Sequence, residues 1–102
     1  MQKDKRLNLI GLAMRAGKVR SGTFITEKLI KEKKAPFVII ASDGSDKQKE
    51  KIISLAEKYN TEYITMSTKE ELGNILGKEE TLCMVVTDIN FINGIKTLNG
   101  GA

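Results

Sequence analysis

The feature that most constrains the fold of this chain is an alternation of short apolar runs with longer segments of helical periodicity. The runs FVIIA (residues 37–41) and LCMVV (residues 82–86) have the length and β-branched composition of strands buried on both faces. Residues 62–65 predict a further short strand, and residues 18–20 are too short for anything but a link or a small strand. Strands that alternate with helices over short connections predict a sheet covered on both faces. We therefore predict an α/β fold, a three-layer α/β/α sandwich with a mixed, mostly parallel sheet of about four strands.

The first two helices are defined by their apolar spacing and by residues that stop them. Residues 3–16 repeat apolar side chains at helical intervals, and Gly17 then supplies a stop. Thr23 is a predicted N-cap for a second helix that runs to about residue 34. Pro36 ends that helix, because the residue before a proline is biased against helical geometry.

Three further helices follow from capping patterns. Ser45 with Gln48 fits a capping box, and a second box starts at Thr68 or at the Ser before it. Gly77 closes the helix that this second box opens. Asp88 is a predicted cap for a last helix, although the glycine within that segment weakens it.

Length and composition bound the domain organisation. A chain of 102 residues is large enough for one core, so we predict a single domain over residues 1–102 with a frayed tail at residues 99–102. No apolar run approaches the roughly 20 residues of a membrane span, and the first 17 residues contain no secretory leader pattern. With one Cys and no His, the chain can form neither an intrachain disulfide nor a Cys-based metal site. We expect a cytoplasmic protein without a cofactor, a metal or a membrane partner.

Motifs of enzymes are missing from the sequence. It contains neither Gly-x-Gly-x-x-Gly nor Gly-Lys-Ser/Thr, and the absence of His removes the usual acid–base group. Asp43 and Asp88 follow strands, where an Asp is most often a loop or N-cap residue. Cys83 lies inside an apolar strand with no His to activate it, which is typical of a small hydrophobic residue. We therefore predict that the protein is not an enzyme and has no small-molecule substrate.

The charge of the chain is concentrated in its first third. Residues 1–34 carry ten Lys and Arg against three acidic residues, a net charge of +7. The remaining residues carry seven Lys against ten acidic residues, a net charge of −3. Segregation of this kind indicates an anionic partner, most often a nucleic acid. The alternative is a lysine-rich face that only contacts solvent.

The start of the second helix is the best candidate for a contact with RNA. Phe24, Lys28 and Lys31 lie at i, i+4 and i+7 and so share one helical face. Gly22 allows a phosphate or base to approach the backbone, and the free N–H groups of the helix start favour phosphate. Phe24 either stacks on an unpaired base or packs against another helix, and the pattern alone leaves both open. The candidate residues from this segment are Lys18, Arg20, Gly22, Thr23, Phe24, Lys28 and Lys31.

The order of these motifs resembles the kink-turn RNA-binding ribosomal protein family, the L-seven-A-e and L-thirty-e-like group, and in particular its small bacterial branch. The resemblance extends from Leu7 to about Ile95. Its most specific parts are Ala-Gly-Lys-x-x-x-Gly at residues 16–22, the strand that ends in Ala-x-Asp at Asp43, and Lys-x-Glu-Leu-Gly at residues 69–73. The resemblance implies an α/β/α sandwich that binds sharply bent RNA with tandem G·A pairs and does no catalysis.

The resemblance also implies particular site residues. In the family, Gly-x-Asn-Glu-x-x-Lys at the start of the second helix reads the G·A pairs, and Gly22 and Lys28 match its glycine and lysine. Phe24 and Ile25 replace its Asn and Glu, and neither side chain can make the hydrogen bonds of those residues. An apolar loop after the last strand, which the resemblance assigns to hold a flipped base, adds Val86 and Thr87, with Asp88, to the candidates.

Two functions from different classes follow. The first is binding of structured RNA, ribosomal or regulatory, in association with the ribosome or translation and with ribosomal proteins as neighbours. The second is a protein interaction module that keeps the fold and has lost the RNA site, because Phe24 and Ile25 would form a small apolar patch. The charge of residues 1–34 favours RNA.

Overall fold

A computed structural model describes residues 5–99 of the chain. Its elements are α1 (Lys5–Arg15), β1 (Val19–Ser21), α2 (Thr23–Lys31), β2 (Phe37–Ile40), α3 (Asp46–Lys58), β3 (Tyr63–Thr65), α4 (Lys69–Leu76), β4 (Cys83–Val86) and α5 (Ile89–Asn99). Residues 3–4 of the predicted first helix and residues 100–102 of the predicted frayed tail lie outside the described residues. Within residues 5–99, no helix has the length and apolar character to cross a membrane.

The four strands form one mixed sheet in the order β1-β4-β2-β3, with helices on both faces. On one face, α1, α4 and α5 cover alternate strand residues in a core that includes Ile10, Phe37, Ile39, Leu72, Met84, Val86, Ile92 and Ile95. On the other face, α2 and α3 cover a core that includes Ile30, Val38, Ile40, Ile52, Ala56, Cys83 and Val85. All residues of β2 and β4 are buried. The predicted α/β/α sandwich and its four-stranded mixed sheet are therefore confirmed.

The pairing within the sheet differs from the prediction of a mostly parallel sheet. β2 and β3 are parallel, whereas β4 is antiparallel to both of its neighbours, β1 and β2. The reason is the path of the chain after α4. The Thr81 N–H donates to the Lys69 carbonyl at 3.0 Å, so residues 77–81 run back along α4 to its N-terminal end. β4 consequently starts at the end of the sheet where β2 and β3 finish, and it runs the opposite way.

This return path depends on close contact with α4 at Gly73. A Cβ atom at Gly73 would lie 2.8 Å from the backbone carbonyl carbon and oxygen of Glu79 and 2.8 Å from the Cα of Glu80. These are backbone atoms, so no side-chain rotation could relieve the contact. Gly73 is therefore required for residues 77–81 to pack against the helix.

The helix ends follow the predicted capping residues except at two points: Gln48 does not complete the box at Ser45, and Thr23 does not cap α2. Thr68 and Glu71 form a complete capping box, in which each side chain accepts from the other residue's N–H. The Ser45 hydroxyl accepts from the Gln48 N–H at 3.2 Å, and Gly77 is left-handed at φ 74°. The prediction that Thr23 is the N-cap of α2 is wrong. Gly22 is the N-cap of α2, and Thr23 is the first helical residue.

We expect Gly73→Ala to lower the free energy of unfolding by about 1–3 kcal/mol, because the added methyl group overlaps backbone atoms of residues 79–80. Urea denaturation followed by circular dichroism measures this loss. The matched control is Asn74→Ala, since Asn74 is exposed on the same helix and should change stability by no more than about 0.5 kcal/mol. Equal stability of the two variants would contradict the role assigned to Gly73.

Candidate nucleic-acid interface

The candidate site lies at the end of the sheet where three helices begin. β1 and β2 are both antiparallel to β4, so β1, β2 and β3 all finish at this end. α2, α3 and α4 each follow one of these strands and therefore start here. We call it the carboxyl end of the sheet. In open α/β sheets, ligands are commonly bound outside the carboxyl ends of the strands.

A glycine N-cap leaves the first turn of α2 without a side-chain cap at this end. Gly22 has φ 117° and ψ 152°, a conformation that is practically limited to glycine. Its N–H donates to the Cys83 carbonyl at 3.0 Å, which anchors the start of α2 to β4. No side chain caps α2, and no hydrogen bond in the described structure uses the N–H groups of Thr23, Phe24 or Ile25. These three donors remain available to a bound anion.

The loop between α4 and β4 contributes a residue that the sequence analysis missed. Lys78 Nζ donates to Ser21 Oγ at 2.7 Å, and Ser21 directly precedes Gly22. Lys78 is exposed and thus places a positive charge beside the start of α2. The two residues are 57 positions apart, so only the return path of the chain along α4 brings them together.

The exposed face of α2 carries the three residues that were predicted to share it. Phe24 is 81% exposed, and Lys28 and Lys31 are exposed as well. Thr26 and Ile30 are the buried residues of this helix. The face that carries Phe24, Lys28 and Lys31 therefore points away from the sheet. The predicted common face of Phe24, Lys28 and Lys31 is confirmed. The alternative in which Phe24 packs in the core is wrong.

Lys28 has a weak internal partner. Its Nζ lies 4.0 Å from Glu32 Oε2, and the two side chains are 55% and 40% exposed. An ion pair of this kind, one helical turn apart in water, contributes little to stability. The ammonium group of Lys28 can therefore exchange Glu32 for a phosphate at low cost.

Arg20 and Lys18 lie at different distances from the start of α2. Arg20 pairs with Val85 in the β1–β4 ladder, and the Val85 side chain packs on the α2 face of the sheet. The exposed Arg20 side chain is thus on the same side of the sheet as α2. The Lys18 carbonyl accepts from the Thr87 N–H at 2.9 Å. Lys18 therefore lies at the opposite end of the sheet from Gly22.

The predicted contribution of Val86 and Thr87 does not fit the structure. Val86 is fully buried in the core between the sheet and its helices, so its side chain cannot contact a ligand. Thr87 is exposed, but both its N–H and its hydroxyl donate to the Lys18 carbonyl, at the end of the sheet far from Gly22. Asp88 acts as a cap, because its Oδ1 accepts from the Asn90 N–H at 2.8 Å. These residues follow β4, whereas the candidate site adjoins the start of β4.

The carboxyl end also contains acidic groups and internal ties. Asp43 Oδ1 accepts from the Lys69 N–H at 2.8 Å, which joins the loop after β2 to the start of α4. Lys49 Nζ donates to the Ser42 carbonyl at 2.8 Å. These contacts join the loop after β2 to α3 and α4, and the carboxylate of Asp43 adds negative charge at the carboxyl end.

Cys83 lies beneath the first turn of α2. It is fully buried, and this burial raises the pKa of its thiol above the ordinary value, while the neighbouring Thr26 and Thr23 hydroxyls partly oppose the rise. A buried thiol with a raised pKa is a poor nucleophile. Cys83 therefore packs as a small core residue.

Because Phe24 is 81% exposed, we expect Phe24→Ala to change the free energy of unfolding by less than about 0.5 kcal/mol. Phe37→Ala, which truncates a buried phenylalanine, should cost about 3–5 kcal/mol. Denaturation of both variants under the same conditions makes the comparison. A loss of several kcal/mol for Phe24→Ala would mean that its ring is packed in solution.

Comparisons with known proteins agree with this architecture. Residues 4–93 match the family described as ribosomal protein L7Ae/L30e/S12e/Gadd45. A protein of Enterococcus faecium named RNA-binding protein YlxQ is 33% identical over 97% of this chain and 95% of its own length. The protein of the same name in Bacillus subtilis (strain 168) is 33% identical over 88% and 90%.

A solved structure gives the same result for the fold. It is described as a protein with unknown function from Bacillus halodurans C, and it superposes with a TM-score of 0.87 at 27% identity. The match covers 94% of this chain and 97% of that one. The resemblance predicted from the motifs is confirmed. The chain belongs to the ribosomal protein L7Ae/L30e/S12e/Gadd45 family.

Proposed function

We propose that this protein binds structured RNA, without catalysis, through the start of α2 at the carboxyl end of the sheet. The observation that carries the proposal is an 81% exposed Phe24 beside unused backbone donors, with Lys28 one turn further along the same face. The two relatives named RNA-binding protein YlxQ support it. A cytoplasmic location in association with translation fits this function.

The parts of the site divide into positioning and stacking groups. Phosphate oxygens can accept from the unused N–H groups of the first turn, where the helix dipole also favours an anion. Lys28, Arg20 and Lys78 add positive charge around this point without reading sequence. The ring of Phe24 offers a flat apolar surface to an unpaired base. Such a site recognises an RNA that presents both a bent backbone and an unstacked base.

We infer that the preferred RNA is a kink-turn or a related bent RNA. Gly22 and Lys28 occupy the positions of the glycine and lysine in the motif that the sequence resembles. Phe24 and Ile25 replace two hydrogen-bonding residues of that motif. Recognition here therefore depends on stacking by Phe24 and on backbone shape, rather than on side-chain hydrogen bonds to the G·A pairs.

A protein partner is the second candidate function, and one observation favours it. Phe24 is the most exposed large hydrophobic residue among residues 5–99, and the partly buried Ile25 follows it. An exposed aromatic ring of this kind is also typical of a protein contact. Ribosomal proteins would be suitable neighbours in that case.

Binding to a short kink-turn RNA and to a matched duplex with Watson–Crick pairs in place of its G·A pairs tests the proposal. We expect tighter binding to the kink-turn, with a preference that persists as salt rises, because shape recognition is less salt-dependent than phosphate attraction. Lys28→Ala should weaken kink-turn binding by on the order of tenfold. Lys96→Ala, which removes an exposed charge from α5 on the opposite face of the sheet, should have little effect.

Equal and steeply salt-dependent binding to both RNAs would contradict shape recognition and favour the protein-partner function. Equal effects of Lys28→Ala and Lys96→Ala would contradict the assignment of the site to α2.

Two substitutions at Phe24 isolate the contribution of stacking. Phe24→Ala should reduce the binding free energy for kink-turn RNA by about 1–3 kcal/mol, and Phe24→Tyr should retain it, because tyrosine preserves the ring. Fluorescence anisotropy of labelled RNA measures both. If Phe24→Ala binds as tightly as the original protein, the ring does not contact the RNA.

A further inference from the structure

A second group of cations lies at the opposite end of the sheet from α2's first turn. We define the basic end as Lys18, Lys33 and Lys34, three exposed residues that belong to the loops around the finish of β4 and the start of β2. They supply three of the ten Lys and Arg residues of residues 1–34, and the proposed site at the carboxyl end does not use them. The basic end therefore needs an explanation of its own.

Strand register brings this group together. Val19, Val86 and Phe37 are neighbours across β1, β4 and β2, so the residues just beyond them meet at one edge of the molecule. Lys18 precedes Val19 and is hydrogen-bonded to Thr87, while Pro36 precedes Phe37. Lys18 and Pro36 are separated by two strand spacings, about 10 Å. Lys33 and Lys34 come shortly before Pro36 in the sequence, with Ala35 between.

Helix ends add the remaining cations. The Lys33 N–H donates to the Ile30 carbonyl and the Lys34 N–H to the Leu29 carbonyl, while Lys33 is left-handed at φ 59°. This reversal ends α2 and fixes the backbone of both lysines, although their side chains remain exposed. The Lys18 N–H is bonded to the Ala13 carbonyl at 2.9 Å, which fixes the backbone of Lys18 against the end of α1.

The charge of the basic end is not neutralised internally. Within the part of the chain that the structure describes, none of its three side chains forms an ion pair. The nearby carboxylates have other partners. Glu32 is 4.0 Å from Lys28, and Asp88 accepts from the Asn90 N–H. Three unpaired cations on one edge form a surface suited to the phosphates of a nucleic-acid backbone.

The exposed face of α2 connects the two ends. Phe24 lies at the carboxyl end, Lys28 is one turn further on, and Lys31 is in the last turn before the basic end. Phe24 and Lys31 are about 10 Å apart along the helix axis. A nucleic-acid strand that stacks on Phe24 can therefore pass Lys28 and Lys31 and reach Lys33 and Lys34 without leaving the protein surface.

We propose that the basic end is a second RNA contact, which binds the phosphate backbone of a double-helical arm next to the structured element held at α2. This inference rests on the proposed RNA-binding function and extends it, since it assigns a site and a ligand class to cations outside the α2 site. The contact carries no sequence information and depends on the length of the arm.

The test compares Lys18→Gln/Lys34→Gln with the control Lys5→Gln/Lys47→Gln, which removes the same charge from exposed positions outside the basic end. Each protein is titrated with a short-armed kink-turn RNA, the same RNA with one arm lengthened by about ten base pairs, and a plain duplex. For the original protein we expect tighter binding to the long-armed RNA. The basic-end variant should lose on the order of tenfold in affinity for that RNA, and its slope of log K against log salt should fall in magnitude by about 2.

The short-armed RNA should bind the basic-end variant and the control almost equally. Equal losses for the two variants on the long-armed RNA, or an equal loss on both arm lengths, would overturn the proposal. If the original protein shows no preference for bent RNA, the proposed function fails separately. In that event a selective loss of duplex binding in the basic-end variant would still support the second contact, and unchanged duplex binding would overturn it.

Discussion

The structure depends on the burial of β2 and β4 on both faces of the sheet. These neighbouring strands contribute eight residues that are all buried, and each strand supplies alternate side chains to the two cores. Neither strand could be stable at an edge, since its apolar residues would then face water. Their central pairing requires helices on both sides, and it determines where every connection must run. The open start of α2 follows from this arrangement, because the Gly22 N–H is bound to the first residue of β4.

Much of the fold could be predicted because its signals are local. The apolar runs identified β2 and β4, and capping residues such as Thr68 and Gly77 placed helix boundaries within a residue or so. The direction of β4 could not be predicted from such signals. It is determined by contacts between residues 77–81 and α4. Gly73 permits these contacts, and the motif that contains it does not show which segment packs against it. A segment that reverses beside a helix resembles an ordinary connection until its tertiary contacts are known.

The candidate site shows the same division. Helical periodicity correctly placed Phe24, Lys28 and Lys31 on one face, and the structure then decided between exposure and burial of the ring. Periodicity could not predict Lys78, because its contact with Ser21 depends on the order of the strands in the sheet. Thr87 was assigned to the site through a loop position implied by the resemblance, and the antiparallel direction of β4 puts that loop at the other end of the molecule. Errors about the site therefore arose from the same strand whose direction was not predicted.

The edges of the sheet have a consequence for behaviour at high concentration. β1 and β3 are the edge strands, and each is only three residues long, whereas the apolar strands β2 and β4 lie between them. Unpaired N–H and C=O groups on an edge can recruit a strand from another molecule. Three residues offer few such groups, and the exposed charge of Arg20 on β1 would have to be desolvated by an incoming strand. The most aggregation-prone strands thus lie in the centre of the sheet, and the two short edge strands resist growth into fibrils.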